Sequence, residues 1–76
     1  MKFAVRVIGF TRKFMPISFV KLVRTTTGEG LASAKDRLDR LTMGETIELE
    51  FGDEESANHF VRAVEEIGGK GTVSTM

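Results

Sequence analysis

The sequence predicts an α/β (α+β) two-layer sandwich. Its elements run strand, helix, helix, strand, helix, strand, and a three-stranded antiparallel sheet carries three helices on one face. Three observations predict it. Residues 46–51 (Thr-Ile-Glu-Leu-Glu-Phe) alternate polar and apolar without a break, the period of a half-buried strand. Three other stretches repeat their apolar residues at helical spacing. Glycines stand between these periodic segments at Gly9, Gly28, Gly30, Gly44, Gly52, Gly68 and Gly69, where turns are expected.

Each element follows in order. Phe3-Ala4-Val5-Arg6-Val7-Ile8 is apolar and β-branched and reads as a strand that Gly9 ends. Thr11-Arg12-Lys13 is a polar connection. Pro16 suits the opening of a helix, where its missing N–H costs little. The first helix runs from Ile17 to about Thr27, with Phe19, Val20, Val23 and Thr27 on one face and Ile17, Lys21 and Arg24 on another. Thr25-Thr26-Thr27 weakens its end, which should fray toward Gly28. Gly28 is placed for a left-handed C-cap. The second helix spans about Leu31 to Leu41, with Leu31, Ala34, Leu38 and Leu41 as its apolar stripe, and Met43-Gly44 stops it. In the strand of residues 46–51, Ile47, Leu49 and Phe51 point inward. Asp53 is a good N-cap, and Glu54 and Glu55 favour the positive end of the helix that follows. That third helix carries Ala57, Phe60, Val61, Val64 and Ile67 on one stripe, ended by Gly68-Gly69. Residues 70–75, centred on Val73, form a final strand.

A chain of 76 residues holds one domain, here residues 1–76. A domain of this size buries only about 60% of its unfolded surface, and 41% hydrophobic residues suffice for it to fold alone. The absence of cysteine removes disulfides and thiolate metal sites. No apolar run approaches the roughly 20 residues of a membrane span. Lys2 is followed at once by alternating polar and apolar residues, unlike a secretory signal, so the expected location is the cytoplasm. Net charge is zero but divided: nine Lys/Arg against three Asp/Glu give +6 over residues 1–44, and two against eight give −6 over residues 45–76. Such asymmetry suggests a basic face able to steer an acidic partner. A three-stranded sheet leaves edges, so the expected state is a monomer or a weak homodimer.

Little in the chain suggests catalysis. His59 is the only histidine and lies off the apolar stripe of its helix. Ser18, Ser33, Ser56 and Ser74 lack a nucleophile motif, and Ser56 belongs with Asp53 at a helix start. Glu48 and Glu50 share a strand face, as glutamates on the wet side of a sheet do. Asp53-Glu54-Glu55 lacks calcium-loop spacing. Gly28-Glu29-Gly30 follows a helix and lacks the Lys-Ser/Thr ending of a phosphate loop. No metal, cofactor or catalytic residue is expected. Arg6, Arg12, Lys13, Lys21, Arg24, Lys35, Arg37 and Arg40 give nucleic-acid binding some compositional support, but there is no Trp or Tyr to stack on bases, and the pI is about 6.6.

The outer face of the first two helices is a better candidate. Ile17, Lys21 and Arg24 lie along the first, and Lys35 lies one turn past Leu31 on the second. An apolar centre with a charged rim is the usual plan of a protein interface.

The run Phe19-Val20-Lys21-Leu22-Val23-Arg24, then Thr27-Gly28-Glu29-Gly30-Leu31 and Ala34-Lys35-Asp36, resembles the C-terminal domain of the bacterial ribosomal stalk protein (the L-seven/L-twelve type). Val64-Glu65-Glu66-Ile67-Gly68-Gly69-Lys70 is similar to that family's closing helix and turn. The resemblance covers roughly residues 3–75. It implies the same order of elements and a non-enzymatic protein-binding module. Its first two helices would recruit a translational GTPase such as elongation factor G, or act at the ribosome. Carried over by position, the docking residues are Ile17, Phe19, Val20, Lys21, Arg24, Leu31 and Lys35, with Gly28 and Gly30 shaping the turn. The family's N-terminal dimerisation domain and hinge have no counterpart here, so a free-standing domain is expected. Glu29 stands where that family usually has an apolar residue. A second family, the ClpS-type adaptor, shares the architecture, and Phe14-Met15-Pro16-Ile17-Ser18-Phe19-Val20 resembles its approach to the first helix. That adaptor carries acidic residues just before this point to hold an α-amino group. Thr11-Arg12-Lys13 has the opposite charge, which would penalise amine capture.

Overall fold

Alternation along the strands decides which face of the sheet is covered. The computed structural model of the protein describes residues 2–75. It comprises β1 (Phe3–Phe10), α1 (Pro16–Thr27), α2 (Leu31–Thr42), β2 (Ile47–Phe51), α3 (Glu54–Glu66) and β3 (Gly69–Thr75). The sheet is antiparallel, ordered β2-β1-β3. Val5 and Val7 of β1 pair with Leu49 and Ile47 of β2, all four buried. They meet Phe19, Val23, Ala34, Leu41, Ala57, Phe60 and Val64 from the helices in one core. α3 packs on all three strands, α2 on β1 and β2, and α1 on α2 and α3. The opposite sheet face is wet. There Arg6 Nε donates to Glu48 at 2.9 Å, and Lys2 lies 3.9 Å from Glu50. This is the solvated role expected of the two glutamates.

β1 does not end at Gly9. It runs on to Phe10, where Gly9 pairs with Lys70 and Phe10 with Gly69 after a register irregularity between Val7 and Gly9. A glycine at such a bulge lets the strand bend and resume pairing. α1 holds its helical form through Thr27, because the Thr27 hydroxyl donates to the Val23 carbonyl at 2.8 Å and Gly28 closes the helix at φ +74°. The threonine run, where the sequence predicts fraying, keeps helical geometry to its last residue. Asp53 caps α3 as expected: its carboxylate accepts the Ser56 N–H and hydroxyl, each at 2.8 Å. These bonds to its ionised form hold the Asp53 carboxyl below its ordinary range.

Candidate functional site

The surface between α1 and α2 is built from a helix end, a two-glycine turn and a helix start. Lys21 and Arg24 are exposed on α1, one turn and two turns past Ile17. The Gly28 N–H donates to the Arg24 carbonyl at 2.9 Å, so the backbone that carries Arg24 is tied to the turn. Together Lys21, Arg24, Thr25, Gly28 and Glu29 line a shallow open depression. Across the turn, α2 starts at Gly30, whose carbonyl accepts the Ala34 N–H at 3.1 Å. Ile17 is 74% exposed and Leu31 47%, whereas the helix stripe predicts Leu31 inside. Lys35 is exposed on α2 but does not line the depression.

The structure corrects two of the carried-over docking residues. Phe19 is fully buried and Val20 is 7% exposed. They anchor α1 in the core, as their helical face implies, and cannot touch a partner without unpacking it. Ile17, Lys21, Arg24, Leu31 and Lys35 are exposed, and Gly28 and Gly30 stand in the turn as expected.

Arg37, which the sequence presents only as one of several basic residues, fixes this turn. Arg37 grips the Glu29 carboxylate in bidentate fashion, with Nη2 to Oε1 at 2.6 Å and Nε to each carboxylate oxygen at 3.0 Å. The Ser33 hydroxyl donates to the same carboxylate at 3.1 Å, and Arg37 Nη1 reaches the Glu48 carbonyl at 3.3 Å. The turn is thus fastened to α2 and to β2. The pair is largely shielded, with side-chain exposures of 28% and 20%. The Arg37 hydrogen bonds hold the Glu29 carboxyl below its usual range, and the same contact raises Arg37. A signal was present in the sequence. Ser33 and Arg37 stand four residues apart on one stripe of α2, and Glu29 lies just before that helix, four residues ahead of Ser33.

This pairing sorts the cations of the basic half. Arg6, Arg37 and Arg40 are matched to Glu48, Glu29 and Asp36. Lys2 lies near Glu50, and among the described residues Arg12, Lys13, Lys21, Arg24 and Lys35 have no acidic partner within 4 Å.

A second concavity of about 420 Å³ opens between α1 and α3, lined by Leu22, Thr26, Phe51, Asp53, Ser56 and His59 among others. Both Asp53 carboxylate oxygens are engaged by Ser56, so this acid is committed to helix capping. Among the described residues no group of three His, Cys, Asp or Glu side chains is placed to hold a metal ion. No helix among them is long and apolar enough to cross a membrane. Neither a protein-family model nor a curated protein matches the chain.

Proposed function

We propose that this protein is a non-enzymatic cytoplasmic docking module that binds an acidic protein surface through Ile17, Lys21, Arg24, Leu31 and Lys35. One observation carries the reading. Lys21, Arg24 and Lys35, three of the cations without an acidic partner among the described residues, belong to the same two helices as the exposed Ile17 and Leu31. Exposed apolar side chains flanked by unmatched charge favour a partner that supplies both apolar contact and carboxylates. The resemblance to the ribosomal stalk domain names a translational GTPase as the first partner to try.

The test is titration of purified elongation factor G against wild type and a Lys21→Glu/Arg24→Glu/Lys35→Glu variant, at low and high salt. A lysate pull-down with the same two baits identifies any other partner. The expected result is weak binding that salt diminishes and the triple reversal abolishes. Binding that the reversal leaves intact would overturn the proposal.

A further inference from the structure

The two edges of the sheet are unequally defended. β2 is five residues long and carries exposed Glu48 and Glu50, so pairing with its own copy would bring like charges together. β3 is the other edge, the seven residues Gly-Lys-Gly-Thr-Val-Ser-Thr. It has one charged residue and no proline, and the sheet's irregularity falls at Val7–Gly9 of β1. Charges, prolines and bulges are how proteins keep an edge from pairing, and β3 has one lysine for all three.

We propose that β3 pairs antiparallel with β3 of a second copy of this chain, joining two three-stranded sheets into one of six. The strand is complementary to itself about its midpoint, Thr72. Antiparallel pairing centred there sets Thr72 against Thr72, Lys70 against Ser74 and Gly71 against Val73. The outward residues Lys70, Thr72 and Ser74 are exposed, and no two like charges face one another. A Thr–Thr cross-strand pair is favourable. On the helix side, Val61 and Val73 are only partly buried against the core. Val61 lies beside Gly71, within 3.7 Å of where a Cβ would stand, so Gly71 sets no side chain of its own against the partner's Val73. The two-fold axis is isologous, so the assembly closes as a dimer.

The contact is independent of the α1–α2 docking face. α3 packs beside β3, while α2 lies over β1 and β2. A β3-paired dimer therefore leaves both docking faces open and makes the molecule bivalent.

Sedimentation velocity tests this from about 10 μM to about 1 mM, the range of weak association. Wild type should shift toward twice the monomer mass as concentration rises. Ser74→Lys puts two lysine pairs across the axis and should raise the dissociation constant about fivefold, whereas Ser74→Glu should lower it about as much. Met43→Lys and Met43→Glu, at a 77% exposed position on α2's end, should change nothing. Hydrogen exchange should slow in β3 as concentration increases, with β2 unchanged. The proposal is overturned if wild type stays monomeric throughout. It also falls if a dimer responds equally to both positions, or if it dissolves in high salt, the mark of basic half against acidic half.

Discussion

Gly68 and Gly28 both take positive φ, at +88° and +74°, but their surroundings differ. A Cβ at Gly28 would meet nothing within 4 Å. At Gly68 it would lie 2.6 Å from the Phe14 nitrogen and 2.7 Å from the Lys13 carbonyl carbon, both backbone atoms. That approach is enforced. The Thr11 N–H donates to the Gly68 carbonyl at 2.8 Å, and the Met15 N–H donates to the Ile67 carbonyl at 2.9 Å. Phe14 is held between the Phe10 and Phe19 rings, with centroids at 4.8 and 5.7 Å.

Gly28→Ala therefore costs only the left-handed strain, about 1 kcal/mol. Gly68→Ala adds an overpacking cost of about 1–3 kcal/mol, for a total of about 2–4 kcal/mol. A domain of this length has about 4–11 kcal/mol in all, so Gly68→Ala removes a large share. At about 4–8 °C per kcal/mol, the two variants separate clearly in thermal melts followed by circular dichroism, with urea midpoints as a second reading. Equal losses for the two variants would refute the reasoning, because backbone strain alone would then account for both.

Two further expectations are simpler. Phe19→Ala should cost about 3–5 kcal/mol as a buried aromatic, while Ile17→Ala should leave the urea midpoint unchanged and weaken partner binding in the same titration used for the charge reversal. For acid, Glu29 and Asp53 both have folded pKa values below their ordinary ones of 4.5 and 3.8. The unfolded chain then binds more protons as pH falls, so this stabilisation is complete above the ordinary values and is lost as pH drops through the folded ones. Urea midpoints should decline below about pH 4.5, and a Glu29→Gln/Asp53→Ala variant should show a shallower decline.

The order of elements was legible because three amphipathic helices and a strictly alternating strand leave little ambiguity in period. The α3 cap was legible because Asp53 and Ser56 satisfy each other within one turn. The β1 bulge was not, because a glycine after a β-run signals a stop and a bend alike; only pairing to Lys70 and Gly69 shows that the strand resumes. Phe19 and Val20 show a different failure. Their periodicity placed them inward, and positional likeness to another family set them on the surface. Packing followed the periodicity. Leu31 shows the reverse, since a residue at the very start of a helix can fit its stripe and still lie beyond the reach of the core.

Glu29 unites the turn's rigidity with its charge, and the two pull in opposite directions. It lines a depression with Lys21 and Arg24, where a carboxylate should repel an acidic partner. Yet it is satisfied by Arg37 and Ser33, so its charge is largely cancelled before a partner arrives. Glu29→Gln would remove charge-assisted bonds from a mostly shielded pair, at about 1–2 kcal/mol of stability after screening. It would also release Arg37 as an extra cation on the basic half. If the module recognises charge alone, the variant binds an acidic partner more tightly and its salt dependence steepens. If recognition needs Lys21 and Arg24 held on a fixed turn, affinity falls despite the added positive charge. The bidentate clamp, reaching from the turn through α2 to the β2 carbonyl of Glu48, favours the second result. Tighter binding by Glu29→Gln in the elongation factor titration would show instead that the clamp serves the fold and not the docking face.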